Sequence, residues 1–262
     1  MLKKRHPHDT TPIASVPLRT RLKSILPNWL INYRNNYLGN KYIKRFSKLT
    51  VQQAFATIYT EGCWGRSTDP EQLFYSGTGS HDTTVVSTYV EALREFLSSL
   101  DQKPNVVDLG CGDFSVGSKL RPLCANYVAC DIVESLISWN KQKYQSEGVD
   151  FRVLDIIDEE LPEGDIVFIR QVFQHLSNAQ ILKVLPKVTA KYKYLVLTED
   201  LPLSCSFVCN IDKSVGPDIR LRQESGIILT RPPFNLQARE DICLCEAFAD
   251  GGVIRTNAYR LA

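Results

Sequence analysis

The sequence has few of the residues that mark several protein classes. No apolar run approaches the roughly 20 residues that cross a bilayer, and the first residues lack an apolar signal core. Only four histidines are present, and no pair among the eight cysteines has the C-x2-C spacing typical of zinc sites. We therefore expect a cytoplasmic protein without a metal centre, whose cysteines are mostly small buried apolar residues.

Charge is distributed unevenly along the 262 residues. The first 48 residues carry eleven Lys and Arg against one acid, and the remainder carries 20 basic and 28 acidic residues. A basic arm on an acidic body is typical of proteins that contact anionic surfaces. We predict that residues 1–48 form a partly disordered arm, peripheral to the inner face of an anionic membrane; a solvated extension is the alternative. Residues 49–262 would form one α/β domain, and no nucleic-acid motif is present.

The most informative stretch is residues 105–115, which read N-V-V-D-L-G-C-G-D-F-S. Its first five residues form a short apolar run typical of a buried parallel strand. Gly110 and Gly112 then predict a sharp turn that a ligand can approach, although a simple strand–helix connection is the alternative. Asp108, inside the strand, suits a ligand that carries an ammonium group.

An alternation of strands and helices follows this turn. Apolar runs at 127–130, 151–154, 165–169 and 194–197 predict strands, and the stretches 115–123, 133–145 and 177–191 predict helices. Such an alternation is typical of a right-handed parallel sheet. Residues 242–248 and 253–259, joined across two glycines, predict a terminal β-hairpin.

Acidic residues stand at the ends of successive strands. Asp131 ends the second strand, about twenty residues after the glycine turn, where a carboxylate can accept both hydroxyls of a ribose. Asp155 ends the third strand and could receive an adenine amino group, with Ile156 supplying a backbone amide. A single acid at a strand end is usually a turn residue, but three in succession at the ligand-binding edge, counting Asp108 near the end of the first strand, indicate a nucleoside site.

A second loop of small residues precedes a long predicted helix. Ser76-Gly77-Thr78-Gly79-Ser80 leads into a helix over residues 82–100, whose apolar positions follow the helical period. Backbone amides at a helix N-terminus can bind an anion such as a carboxylate. An ordinary helix cap is the alternative.

These motifs together resemble a known family. The stretch V-V-D-L-G-C-G-D, with Asp131 and Asp155 downstream, resembles class I S-adenosylmethionine-dependent methyltransferases over residues 54–261. S-G-T-G-S at 76–80, Q-H-L at 174–176 and P-P-F-N-L at 232–236 resemble a poorly characterised bacterial group of them. The resemblance implies a Rossmann-like α/β fold, with a seven-stranded, mostly parallel sheet ending in an antiparallel hairpin. One departure is Phe114, where many relatives have a third glycine.

The resemblance also implies which residues form the site. The expected S-adenosyl-L-methionine contacts are Ser76, Gly77, Gly79, Asp108, Gly110, Cys111, Gly112, Asp131, Ile132, Asp155, Ile156, Arg170 and Gln171. His175, just after the fourth strand, is the leading candidate for a general base, with helix capping or cofactor contact as its alternative. Glu199 is the second catalytic candidate, and Asp200 beside it is the third.

The sequence therefore predicts a methyltransferase that acts on an acceptor hydroxyl of a sugar, a glycan or a small metabolite. Two alternatives stay open at this point. A non-catalytic module that binds an adenosyl ligand would share the same acids. An NAD-dependent oxidoreductase would share the sheet, but its fingerprint places a glycine where Ser115 stands.

Overall fold

The structure is a computed structural model that describes residues 44–249 and 251–261. The disorder predicted for residues 1–20 and the short helices predicted over most of 22–46 lie outside this range. The chain divides into two compact units, Met1–Lys44 and Arg45–Ala262, and the fold described below belongs to the second. Within the described part of the chain, no helix is long and apolar enough to cross a membrane.

Seven strands form one sheet in the order β3-β2-β1-β4-β5-β7-β6. Their bounds are β1 Asn105–Leu109, β2 Asn126–Asp131, β3 Asp150–Val153, β4 Ile166–Arg170, β5 Tyr194–Pro202, β6 Glu240–Ala249 and β7 Gly252–Arg260. The first five strands are parallel, and β7 pairs antiparallel with both β5 and β6. The predicted fold class, with its terminal antiparallel hairpin, is confirmed.

Six α-helices accompany the strands within the described residues. They are α1 Val51–Glu61, α2 Thr78–His81, α3 Thr83–Ser98, α4 Gly117–Leu120, α5 Glu134–Lys143 and α6 Asn178–Lys191. Helices α1 and α6 each begin with a capping box, in which Thr50 pairs with Gln53 and Ser177 with Gln180. The predicted helix from Ser115 to residue 123 is wrong in extent, because α4 begins two residues later and gives way to a 3-10 turn that contains a proline.

Two large apolar cores flank the sheet because side chains alternate between its faces. One core contains Val107, Leu109 and Val167 with residues of α6. The other contains Val106 and Phe168 with residues of α3. Both faces are therefore covered, so β1 and β4 are buried on both sides, and apart from Asp108 the polar residues lie at the strand ends.

Strand β5 is longer than the sequence predicts. The apolar run ends near Leu197, but the strand continues to Pro202 because β7 pairs with it along nine residue positions. Glu199 and Asp200, expected just after the strand, lie inside it and are buried. Their predicted placement beyond the strand end is therefore wrong.

Candidate active site

The carboxyl ends of β1, β2 and β4 bring the predicted site residues to one edge of the sheet. Gly110 and Gly112 follow β1 with φ angles of 81° and 56°, which favour glycine. The backbone N–H groups of Gly110 and Cys111 both donate to the carbonyl oxygen of Cys130, at 2.8 and 2.9 Å. The turn is thus fixed against β2, as a ligand-binding turn requires.

Asp131 links the end of β2 to this turn. Its Oδ2 accepts the N–H of Gly112 at 3.1 Å, and its Oδ1 accepts the N–H of Val133 at 3.0 Å. Burial raises the pKa of Asp131 to about 6, while these backbone hydrogen bonds act to lower it. Ile132, beside it, is half-buried, and its carbonyl faces the Gln52 amide of α1 at 3.5 Å.

Asp108 lies inside β1, almost entirely buried. Its Oδ2 accepts the hydroxyl of Tyr127 at 2.9 Å. Burial raises the pKa of Asp108 to about 7, against the lowering effects of Tyr127 and of the nearby Arg170 guanidinium. Near neutral pH this carboxyl group exchanges a proton readily, so its charge can respond to a cationic ligand.

Asp155 and Ile156 follow β3 as predicted. The Oδ1 atom of Asp155 accepts the N–H of Ile157 at 2.9 Å, which fixes the orientation of the half-buried carboxylate. The carbonyl of Ile156 accepts the Lys187 ammonium at 2.6 Å, while its side chain is buried in the core. The two residues therefore form an ordered turn at the edge beyond Asp131.

Phe114 occupies the position of the expected third glycine. It adopts a left-handed φ of 59°, and its ring is buried in the core. The ring makes edge contacts with Tyr127, Tyr144 and Phe151, at centroid distances of 5.4, 5.1 and 4.9 Å. The departure from glycine therefore fills the core on one face of the sheet.

The loop containing Ser76 packs directly on the glycine turn. The N–H of Ser76 donates to Oδ2 of Asp113 at 2.9 Å, and the N–H of Asp113 donates to Oγ of Ser76 at 2.8 Å. His81 Nε2 donates to the same Oδ2 at 2.6 Å. The long helix predicted after the loop is present as α3, capped by the Asp82 side chain through Val85 N–H, and the short helix α2 lies within the loop itself. An internal carboxylate thus already uses one amide of the predicted anion site.

Arg170 holds the other side of this loop. Its guanidinium donates to the carbonyl of Gly79 at 2.5 Å and to Oγ of Ser80 at 3.1 Å. It also donates to the Oε1 of Gln171 at 3.0 Å, and Gln171 Nε2 in turn donates to Asp200 at 2.9 Å. A chain of hydrogen bonds therefore connects the loop with the ends of β4 and β5.

His175 lies in a 3-10 turn after β4 and is buried. Its Nδ1 is 3.1 Å from the carbonyl oxygen of Gly216, and its ring centroid is 4.8 Å from that of Trp64. Burial, together with the positive charge of Lys213, lowers the pKa of His175 to about 3. A neutral ring with so low a pKa is a weak proton acceptor, so the geometry favours the structural alternative; the predicted general base stays a prediction.

Glu199 has a defined place within β5. Its two oxygens accept the N–H groups of Phe173 and Gln174, at 2.9 and 3.1 Å. Burial and the neighbouring Asp200 raise its pKa to about 8, whereas Arg220 and the two amides lower it. The carboxyl group caps the turn that carries His175, so its contacts are those of a supporting residue.

Comparison with known families assigns part of the chain to a kind of domain. The sequence of residues 107–197 matches the family model described as a methyltransferase domain. The matched segment begins in β1 and ends in β5, so it spans the glycine turn, Asp131, Asp155 and His175. Residues 107–197 form a methyltransferase domain. Such a domain implies S-adenosylmethionine as the methyl donor, and the match favours this over the oxidoreductase alternative.

Solved structures agree with this methyltransferase fold. An S-adenosylmethionine-dependent methyltransferase from Leishmania major superposes with a TM-score of 0.55 at 14% identity, covering 82% of this chain and 88% of that one. Magnesium protoporphyrin IX methyltransferase from Synechocystis gives 0.52 at 15%, covering 81% and 98%. The N-methyltransferase NodS from Bradyrhizobium japonicum gives 0.52 at 16%, covering 68% and 88%. No curated protein sequence matches the chain.

Two buried polar atoms beside the glycine turn and the loop show where a polar ligand would fit. The Nε of Arg170 and the Oδ1 of Asn140 have no hydrogen-bond partner among the described protein atoms. Asn140 donates through Nδ2 to the carbonyl of Gly112 at 2.8 Å, so it borders the glycine turn, and Arg170 borders the opposite loop. One unused hydrogen-bond donor and one unused hydrogen-bond acceptor therefore flank the ligand-binding edge. This arrangement fits a ligand that carries both a positive and a negative group.

Several residues that the sequence patterns did not indicate border the same site. Tyr59 of α1 shares a hydrogen bond of 3.1 Å with Ser76, and its ring lies 5.4 Å from that of Trp64. Burial and the charge of Asp131 raise the pKa of Tyr59 well above its usual value. Asp113 and His81 complete the group. The helical pattern of α1 and the D of G-C-G-D were visible in the sequence, but neither indicates a contact with the turn.

Proposed function

We propose that this protein transfers the methyl group of S-adenosylmethionine to an acceptor hydroxyl on a sugar, a glycan or a small metabolite. The supporting observation is the hydrogen bond between Asp131 and the glycine turn, which holds a carboxylate beside that turn, where the ribose would lie. When bound, the donor supplies a sulfonium whose methyl carbon is electrophilic. The protein has to bind it, exclude water and align an acceptor.

The nucleoside half is proposed to lie against β2 and β3. Asp131 would accept the ribose hydroxyls, with Gly110, Cys111, Gly112 and Ile132 lining the approach through their backbone. Asp155 would accept the adenine amino group, and the amide of Ile156 would donate to the ring. The ordered carboxylate of Asp155 supports this assignment, because a side chain already held by a turn loses little freedom on binding.

The methionine half is proposed to lie between Asp108 and the loop of Ser76, Gly77 and Gly79. Asp108 would pair with the ammonium group, since its pKa of about 7 lets a nearby cation ionise it. Arg170 and Gln171 would face the carboxylate, and the spare Nε donor of Arg170 supports this role.

The acceptor is proposed to bind against an aromatic wall. Trp64 lies between the rings of Tyr59 and His175 and donates through Nε1 to the carbonyl of Pro217 at 3.1 Å. Aromatic faces of this kind present apolar surface with polar tips, which suits the alternating C–H and O–H groups of a sugar ring. We propose that His175 holds this wall in place, supported by its bond to Gly216 and its low pKa.

We also propose that residues 1–48 bring the domain, residues 49–262, to an anionic membrane where a lipid-linked glycan could be the acceptor. The eleven basic residues of this arm support the proposal, because each Lys or Arg near an anionic surface contributes about 1 kcal/mol. Phe46, within this stretch, packs against Ala54 and Ile58 of α1.

One experiment tests the proposed function directly. Cell extract is incubated with the protein and with S-adenosylmethionine labelled in its methyl group, and the labelled products are identified by mass spectrometry. We expect label on the oxygen of a hydroxyl compound, and less of it with the Asp131→Ala variant at the same concentration of the methyl donor. Label found only on nitrogen or carbon would overturn the hydroxyl assignment. No label at all would show that the protein methylates no compound in that extract.

A further inference from the structure

A reciprocal pair of hydrogen bonds joins residues 75–81, which we call the covering loop, to the glycine turn. Ser76 and Asp113, 37 residues apart, each donate a backbone N–H to the other's side chain, at 2.9 and 2.8 Å. We infer that Asp113 is a positioning residue, which keeps the covering loop docked on the turn and so sets the affinity for the methyl donor. This inference rests on the proposed binding of the donor at this edge.

Asp113 is well suited to hold a loop through its charge. It is 1% exposed, yet its pKa lies below the usual range. Burial alone would raise that pKa, but the hydrogen bond and charge of His81 and the amide of Ser115 more than offset it. A buried ionised carboxylate that accepts three such donors is a strong anchor, because charge-assisted hydrogen bonds are about twice as strong as neutral ones.

The covering loop leaves no gap above the turn. A Cβ atom on Gly112 would lie 2.5 Å from Oγ of Ser76 and 3.4 Å from the hydroxyl of Tyr59. A ligand that reaches the amides of this turn must therefore meet the covering loop at the same time. Docking of the loop and binding of the donor are coupled by this contact.

Further contacts fix the loop at its other end. Arg170 bonds to Gly79 and Ser80, and the ring of Tyr75 stacks on that of His81 with centroids 4.4 Å apart. The loop is thus held by an anion on the glycine turn and a cation at the end of β4. Weakening the Asp113 anchor would populate an undocked state, and the apparent dissociation constant would rise as the docked fraction falls.

The test compares the full chain with two variants by calorimetry with S-adenosylhomocysteine and by hydrogen exchange. Asp113→Asn removes the charge, and Asp69→Asn is the matched control, because the side chain of Asp69 is exposed and accepts the local amide of Glu71 at 3.0 Å. We expect Asp113→Asn to weaken binding about 10-fold or more and to speed exchange in residues 75–81, with β1 and β4 unchanged. The control should match the wild type in both measurements.

Two further variants keep the test decisive. If Asp113→Asn does not fold, Ser76→Ala removes the bonds of Oγ to the Asp113 amide and the Tyr59 hydroxyl but keeps the Ser76 N–H bond and the buried charge. A weaker change in the same direction is then expected. His81→Gln combined with Asp113→Asn should be no worse than Asp113→Asn alone if the pair acts as one unit.

The outcomes separate this inference from the proposed function. Wild-type protein that binds S-adenosylhomocysteine, with Asp113→Asn binding it equally well, would refute the positioning role only. Faster exchange spread over β1 and β4 as well would also refute it, because the residue would then serve general stability. Wild-type protein that binds no S-adenosylhomocysteine would refute the proposed site and the inference together.

Discussion

The backbone N–H of Gly112 donates a hydrogen bond of 3.1 Å to the carboxylate of Asp131. This contact connects the end of β2 with the glycine turn after β1. The carboxylate proposed to bind the ribose and the turn proposed to border the methyl donor therefore form one structural unit. A change at Asp131 should therefore affect ligand affinity more than the stability of the sheet, whose β1–β2 pairing lies further from the edge.

Asp131→Ala should weaken binding of S-adenosylhomocysteine by about 1–3 kcal/mol, the scale of lost hydrogen bonds to a charged group. Asp131→Asn, which retains an acceptor oxygen, should lose less. Calorimetry measures both affinities, and the melting temperature checks that each variant is folded. An unchanged affinity in Asp131→Ala would remove the ribose assignment.

Affinity for the donor should depend on pH through Asp108. Its folded-state pKa of about 7 means that the carboxylate is ionised above that pH and protonated below it. Because an ammonium group prefers the ionised form, affinity should be full at pH 8 and should fall as the pH drops through about 7. In Asp108→Asn the affinity should be weak and nearly flat over this range. A pH-independent affinity in the wild type would contradict the ammonium assignment.

Gly79 should tolerate no side chain while Gln171 keeps its position. A Cβ atom there would lie 2.3 Å from Oε1 of Gln171, so Gly79→Val should displace that side chain and disturb its bond to Asp200. We expect weaker S-adenosylhomocysteine binding at a nearly unchanged melting temperature. As a control, Gly79→Val is also made in the Gln171→Ala protein, where the side chain that it would displace is absent. Full affinity and stability in Gly79→Val would mean that the loop only connects two elements and does not contribute to binding.

His175→Gln should make the free energy of unfolding depend less on pH in mildly acidic solution. The folded-state pKa of about 3 lies below the ordinary value of 6.5, so the unfolded chain binds more protons between these values. The wild type therefore loses stability as the pH falls below about 6.5, and the variant should lose less. Urea unfolding at pH 7.5 and pH 5 gives the change in the free energy of unfolding for the wild type and for the variant. Equal changes in the two proteins would contradict a buried neutral histidine.

The same residue allows a test of the predicted general base. Loss of a general base typically lowers a rate by about 10²–10⁴-fold. If His175 only supports the aromatic wall, His175→Ala should lose on the order of 1 kcal/mol of stability, the size of a typical lost hydrogen bond, and keep its single-turnover rate. A rate loss of 10²-fold or more at unchanged donor affinity would instead establish the general base.

The basic arm should bind anionic vesicles in a salt-dependent manner. The full chain is compared with a chain that begins at Lys48, in sedimentation with vesicles that contain phosphatidylserine. Because screening weakens attraction between exposed charges, binding should be strong at low salt, weaker at high salt and absent without the arm. Equal partitioning of the two chains would defeat the membrane proposal.

The sequence by itself determined the order of the elements and the edge at which ligands bind. The apolar run of β1 was predicted with its observed bounds, Asn105–Leu109, because a strand buried on both faces is recognisable from local composition. The capping boxes of α1 and α6 are likewise local features, since each involves only four neighbouring residues. The acids at strand ends followed from the same alternation.

Tertiary structure alone decided which of these residues touch. Glu199 and Asp200 are buried in β5 because the antiparallel strand β7 extends their strand to Pro202, a pairing across some sixty residues that no local pattern encodes. The contact of Asp113 with Ser76 and His81 likewise depends on how the covering loop folds back over the turn. Local periodicity reports whether a residue is buried, but the partner of a buried charge is set by the chain that packs against it.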